Sequence, residues 1–227
     1  MSENLELFLE PAPGIQCDHP EVLALARKIV KGSANDRQAA AKLFTWVRDT
    51  VRYSPYVPFD DLNDYLALSI LERGKGYCVQ KAALLCALAR AVGIPARLGF
   101  ADIENHQLPA GLFEVLGSAL MTHHCFVEWF VGGRWLKSTP SFDEPLCAER
   151  SWRLVEFDPE HDSLLATTDL AGRPHITYVR NLGWRREVPL AEILDAWEQE
   201  YTAERVAAWA RSVRQGAAWD RAGQAAT

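Results

Sequence analysis

The chain has no C-x-x-C pair, and its five cysteines (17, 78, 86, 125 and 147) are odd in number and irregularly spaced over 227 residues. That argues against a zinc ribbon, a thioredoxin-type redox site and a disulfide framework. No apolar run approaches the length of about 20 residues needed to span a bilayer. Positive charge is not in excess: the formal net charge is -6. This balance argues against nucleic acid or an anionic membrane as the main partner. Repeats and low-complexity linkers are missing too, so residues 1–227 read as a single domain with a sizeable core. The opening residues, Met1-Ser2-Glu3-Asn4-Leu5-Glu6, lack the basic-then-apolar order of a secretory signal. With thiols expected to stay free, the expected setting is a reducing one, a bacterial-type cytoplasm.

What the chain does have is one stretch that organises the rest. Gly74-Lys75-Gly76 is followed by an alanine- and leucine-rich segment, Tyr77 to Val92, with no Gly or Pro inside it. It is too long for a strand and predicts a buried helix, stopped by Gly93 and Pro95. Cys78 then sits in the first turn. Free N–H groups and the positive end of the helix dipole favour an anion there, and the thiolate is the nucleophilic form of cysteine. The preceding glycines let backbone pass close to a substrate. A lone Cys in an apolar helix is ordinarily packing, which is the reading for Cys86.

Around this stretch, Pro11, Pro13 and Pro20 punctuate an extended entry, with Leu5, Leu7 and Leu9 alternating like a short strand. Helices are predicted over Glu21 to Lys31, with Asp18 as cap, and after Asn35 or Asp36. Tyr53 to Pro58 is a loop. Asp60 to Arg73 includes a short helix, and Ala96 to Ala101 a strand. Asn105 to Met121, with Pro109, Gly111 and Gly117, reads as a loop with some helix covering a cleft. Thr122 to Val131 alternates as a strand, Gly132-Gly133 is a hairpin turn, and Arg134 to Thr139 returns. Short strands are expected over Trp152 to Asp158 and His175 to Val179. One helix is expected from Leu190 to Val213, within a C-terminal helical extension of about 189–215. The last dozen residues are expected to fray.

The hairpin strand carries His123 and His124, which alternation sends to opposite faces. Either, with Cys78, suits a thiol–imidazole pair, and such a pair needs a third group to orient the ring. If residues pair across Gly132-Gly133 when their numbers sum to 265, Phe126 faces Thr139, and Thr139 is a diagonal neighbour of His124. Asp143 is a further carboxylate just beyond, free to curl towards the imidazole or away from it. The adjacent His123, His124 and Cys125 diverge too much for a metal site, so no metal and no cofactor is expected. Asp60, Asp61 and Asp64 read as a solvated acidic loop, with cation or amine recognition as the sharper alternative. Tyr53, Tyr56 and Tyr65 are equally suited to a substrate groove and to packing. Trp184, Trp197, Trp209 and Trp219 are assigned to packing or an oligomer contact.

Two blocks together resemble the transglutaminase-like superfamily, a papain-like cysteine fold. The first is Gly76-Tyr77-Cys78 with Gly93-Ile94-Pro95-Ala96-Arg97. The second is His124, Phe126 and Glu128 with Gly133-Arg134-Trp135, and the likeness covers about residues 35–143. The resemblance implies an α+β fold in which the Cys78 helix start packs on an antiparallel sheet bearing the His. It selects His124 over His123 and implies Cys78 as nucleophile, with Glu128 in support. Where the family places an Asp-Pro after the second hairpin strand, this chain has Thr139-Pro140, so the orienting group falls to Thr139 or, as favoured here, to Asp143 assisting. The expected function is a cysteine-dependent acyl-transfer enzyme acting on a peptide, protein or small amide or acyl substrate. Hydrolysis, as in a protease or amidase, is favoured over amine transfer. The alternative, motivated by Thr139, is a weakened or inactive scaffold that binds a peptide or protein partner.

Overall fold

The computed structural model describes residues 4–215. Helix α1 (Pro20–Val30) starts at a proline whose fixed φ suits the first turn, and the His19 ring nitrogen accepts from Glu21 N–H at 3.3 Å. The cap is thus His19, one residue after the expected Asp18. Helix α2 (Asp36–Thr50) is capped by Asn35, whose Oδ1 accepts from Gln38 N–H at 3.0 Å. Ala40, Leu43, Phe44 and Val47 form its buried stripe. Both helices pack on α4 (Cys78–Ala91), which is buried from Cys78 through Arg90. A helix apolar on all sides belongs in a core. Its polar side chains therefore find partners: Gln80 donates to the Pro58 carbonyl, Lys81 to the carbonyls of Arg48 and Val51, and Arg90 to those of Ala96, Glu10 and Arg186.

Between α2 and α4 the chain forms β1 (Arg52–Tyr53), a 3₁₀ turn Leu62–Tyr65, helix α3 (Ala67–Arg73) and β2 (Lys75–Gly76). The two-residue strands pair in parallel, which ties the Tyr53 segment to the entry of α4. The main sheet is antiparallel with order β5-β4-β3-β6, from β3 (Ala96–Asn105), β4 (Leu120–Val131), β5 (Arg134–Ser138) and β6 (Ile176–Arg185). The hairpin register is the expected one: Val127 faces Ser138 and Val131 faces Arg134. Gly132 and Gly133, at φ +64° and +85°, form the turn whose twist matches the strands. Cys125, Val127, Trp129 and Val131 are buried on the α4 side. A short helix α5 (Ala110–Leu116) joins β3 to β4, and α6 (Glu144–Arg150) follows β5.

Several expectations change. Leu5 to Phe8 is a 3₁₀ turn rather than a strand, because Phe8 turns inward against Trp135 and Trp184 at 5.2 and 5.4 Å. Trp152 to Asp158 contains no strand. The expected single C-terminal helix is two, α7 (Leu190–Tyr201) and α8 (Ala203–Arg214). Thr202 sits between them at φ +75°, and its hydroxyl caps α8 by accepting from Arg205 N–H. This break lays Trp209 on Trp197, with ring centroids 5.1 Å apart. Trp219 and the fraying expected of the last dozen residues lie outside the described residues. Among the described residues no helix is long and apolar enough to cross a membrane.

Candidate active site

Cys78 is the first residue of α4 and is 5% exposed. The backbone N–H groups of Cys125, Val79 and Cys78 itself favour a negative charge on its sulfur. These pull the thiol pKa down, as expected for a helix start, but burial outweighs them and pushes it up to about 11. The expected easy thiolate is therefore not the form that this closed site favours: in the folded chain at neutral pH the group is a thiol.

His124 lies on β4 beside a bulge. Ala101 faces His124, yet Ile103 faces Met121, so β4 carries one residue more than β3 between these pairs. His123 takes the extra length at φ +57°, a left-handed conformation uncommon for a residue with a side chain. Asp102 pins the bulge. Its carboxylate accepts from the Thr122 hydroxyl at 2.7 Å, from His123 N–H at 3.2 Å and from Arg180 Nε at 2.9 Å. Strict alternation fails here for that reason. His123 and His124 do not diverge to opposite sides; both line one cavity with Cys78. His123 is held by Glu192 at 3.3 Å, and Glu192 is in turn gripped by Arg185 at 2.6 Å. The nitrogen Nε2 of His124 is 3.4 Å from the Thr139 hydroxyl, which is 3.0 Å from the Ser141 hydroxyl. Burial lowers the His124 pKa to about 3, so the imidazole is neutral at pH 7.

Of the other expected residues, Thr139 meets the imidazole and Asp143 does not. Asp143 is buried as the N-cap of α6, accepting from Leu146 N–H at 3.2 Å. It also accepts from Tyr53 N–H at 2.6 Å and pairs with Arg52. The strand pairing ends at Ser138, and the turn after Pro140 sends the carboxylate to these N–H groups instead of to His124. Glu128 pairs with Arg97 at 2.7 Å, whose guanidinium lies over Trp135 and Trp184 at 4.0 and 4.4 Å. The acidic loop is a clasp for α8, since Arg214 binds Asp60 at 2.5 Å and Asp64 at 3.1 Å. Tyr65 is core: its hydroxyl meets the Phe59 carbonyl and the Tyr77 hydroxyl.

The cavity shared by Cys78, His123 and His124 measures about 30 Å³. Helix α5 closes it with Leu112 and Leu116, and the C-terminal helices close it with Trp197, Tyr201 and Trp209. Trp197 Nε1 donates to the Thr122 carbonyl at 3.2 Å, and the Tyr201 hydroxyl to the Leu120 carbonyl at 3.0 Å, so α7 is fastened to the bulged end of β4. Sequence reasoning expected residues 105–121, which carry α5, to cover a cleft, but it missed the part of the roof that α7 and α8 supply and missed Asp102. The tryptophans stood out in the sequence, but nothing local told where they fold back. Asp102 is one acidic residue on a strand, with no neighbouring signal for its partners on β4.

A protein from Cytophaga hutchinsonii, described as a "putative cysteine protease", superposes with a TM-score of 0.52 at 20% sequence identity, over 85% of this chain and 50% of that one. The periplasmic domain of TgpA from Pseudomonas aeruginosa gives a TM-score of 0.43 at 21% identity, over 61% of this chain and 48% of that one. This chain thus spans about half the length of either structure. The Cytophaga likeness carries the α+β, papain-like fold and nothing about substrate. No curated protein matches the chain. Residues 23–140 match the family model described as the transglutaminase-like superfamily. They make up just over half of the sequence and contain the Cys78 helix and the His124 strand, so this chain belongs to the transglutaminase-like superfamily.

Proposed function

We propose that the chain is a cysteine-dependent acyl-transfer enzyme that hydrolyses an amide or related acyl substrate through a thioester. The observation that carries this reading is the shared cavity: Cys78, at a helix start, and His124, held at Nε2 by Thr139, line one enclosed space. With Nε2–H donated to the Thr139 hydroxyl, Nδ1 is the nitrogen left to take the thiol proton. The sulfur then attacks the acyl carbon, and the Cys78 backbone N–H, at the start of α4, suits the oxyanion. The imidazolium returns its proton to the leaving amine as the C–N bond breaks, which leaves the acyl group on Cys78. Water, deprotonated by the same imidazole, opens the thioester. Hydrolysis is favoured over amine transfer because water needs no dedicated site, whereas the space of about 30 Å³ beside Cys78 leaves little room for an amine once an acyl group is bonded there. All five cysteines are free and buried, which supports a reducing setting such as the cytoplasm.

A second reading, a scaffold that binds a peptide without turnover, draws on the uncharged Thr139 and on burial that keeps the pair neutral. The experiment that separates the two is turnover of a panel of N-acyl amino-acid p-nitroanilides by wild type and Cys78→Ala, with intact-mass detection of an acyl adduct. The enzyme reading expects an adduct on wild type and a loss of at least about 1,000-fold in Cys78→Ala, in line with removal of a nucleophile. Equal rates in both proteins would overturn it. No turnover, with the panel bound equally by both, would favour the scaffold.

A further inference from the structure

A second and larger cavity, of about 260 Å³, lies against the first. Tyr53, Pro55, Leu112 and Met121 line both, so the two spaces share walls and not merely a neighbourhood. Beyond the shared wall the larger cavity is lined by Tyr56, Leu108, Phe142 and Leu146. The aromatic walls are braced: Tyr53 meets Phe142 edge-on at 4.9 Å, and Phe142 packs on Trp152 at 4.8 Å. The charged lining residues are Glu114, which is exposed, and Arg150, which is half-buried. They are opposite in sign, so the cavity offers no net charge to an ionic side chain.

We propose that this cavity receives the bulky apolar side chain, aromatic or branched aliphatic, of the acyl group that becomes bonded to Cys78. The inference deepens the reading above and rests on Cys78 being the nucleophile. The space suffices, since apolar cavities of about 150 Å³ already admit benzene, and this one has room for a ring and its linker. The chemistry suits, since apolar walls reward apolar surface removed from water and penalise an unpaired charge. The position suits, because Tyr53, Pro55, Leu112 and Met121, which line this cavity, also line the space that holds Cys78. The cavity that holds Cys78 is by contrast too small for such a group.

Gly111 is the position that sets this preference. It lies in the wall on α5, and a Cβ added there meets nothing closer than the Tyr56 hydroxyl, at 3.8 Å. A side chain at 111 therefore fills the cavity instead of displacing its walls, and a helical site tolerates the loss of glycine.

The test uses the full chain and four covalent probes, the chloromethyl ketones of N-acetyl-glycine, -alanine, -leucine and -phenylalanine. Intact-mass rates of Cys78 labelling are divided by the iodoacetamide rate of the same protein. The leucine and phenylalanine probes are expected to label wild type at least tenfold faster than the glycine probe, the scale of one buried apolar side chain. In Gly111→Phe, and to a lesser degree in Gly111→Leu, that ratio is expected to fall to within about twofold of unity, as a filled cavity no longer rewards the side chain. Equal rates for all four probes on wild type, with iodoacetamide still labelling Cys78, overturn the proposal and leave the nucleophile reading intact. A preference that persists in a folded Gly111→Phe overturns the assignment to this cavity. Failure of every reagent at Cys78 overturns the nucleophile reading and the proposal with it.

Discussion

At the scale of single residues, the candidate site is governed by burial. The same enclosure that pushes the Cys78 thiol up to about 11 takes His124 down to about 3. Both shifts favour the neutral forms, and the nearest partner of the imidazole, the Thr139 hydroxyl, has no charge with which to oppose them. Thr139→Asp puts a carboxylate where that hydroxyl stands, which raises the imidazole pKa and favours the thiolate–imidazolium pair. The pH at which iodoacetamide alkylation of Cys78 accelerates is expected to move down by about one unit or more, the scale of a close opposite charge. Asp143→Ala is the contrasting variant. It removes the α6 cap and the partner of Tyr53 N–H, so it is expected to cost about 1–3 kcal/mol in urea unfolding while leaving the alkylation profile where it was. A profile that moved with Asp143 and not with Thr139 would reverse these roles. The choice between the two residues was half legible: the hairpin sum of 265 pointed to Thr139, whereas the hold on Asp143 depends in part on Tyr53 N–H and Arg52, from a distant segment.

At the scale of elements, α7 and α8 decide whether the site is open. Their tryptophans stack over the cavity, and α8 is held at both ends. Arg205 reaches the carbonyl of Glu114 at 2.7 Å, at the end of α5, and Arg214 reaches Asp60 and Asp64. Trp209→Ala removes one plate of this roof without touching β4. Labelling of Cys78 by iodoacetamide is expected to rise by tenfold or more, with Cys86, deep in α4, unchanged. Equal acceleration at both cysteines would mean general unfolding rather than an opened site. The apolar spacing from Leu190 to Val213 made helix legible here. The turn at Thr202 was not, because its left-handed backbone is stabilised by what the two helices pack against and not by a glycine.

At the scale of the whole molecule, the core contains a lysine on its central helix. Lys81 is fully buried between carbonyls of Arg48 and Val51, and burial lowers its pKa from 10.5 to about 7, opposed by Asp143 and Asp49, with Arg48 and Cys147 also nearby. Between those two values the unfolded chain holds a proton that the folded chain does not. Stability therefore falls as pH drops from about 10 towards 7 and shows no further change from this group below that. Lys81→Met is expected to remove a slope of up to about 1.4 kcal/mol per pH unit from the difference between wild-type and variant urea unfolding free energies over pH 7 to 9. Parallel stability curves for the two proteins would show that Lys81 keeps its ordinary affinity for a proton.

The sequence alone determined those parts of this protein that obey a local period or a local turn. These are the apolar segment that must be a buried helix with Cys78 at its start, the alternation of β4, and the two glycines that set the register with β5. Only the tertiary structure decided what those parts do to one another. Asp102, 21 residues from His123, builds the bulge that brings two adjacent histidines to one cavity, where strict alternation would have parted them. Helices far along the chain supply the enclosure that overrides the pull of the helix start on the Cys78 thiol. Period and turn chemistry act between neighbours in the chain, whereas desolvation and a buried carboxylate act between neighbours in space.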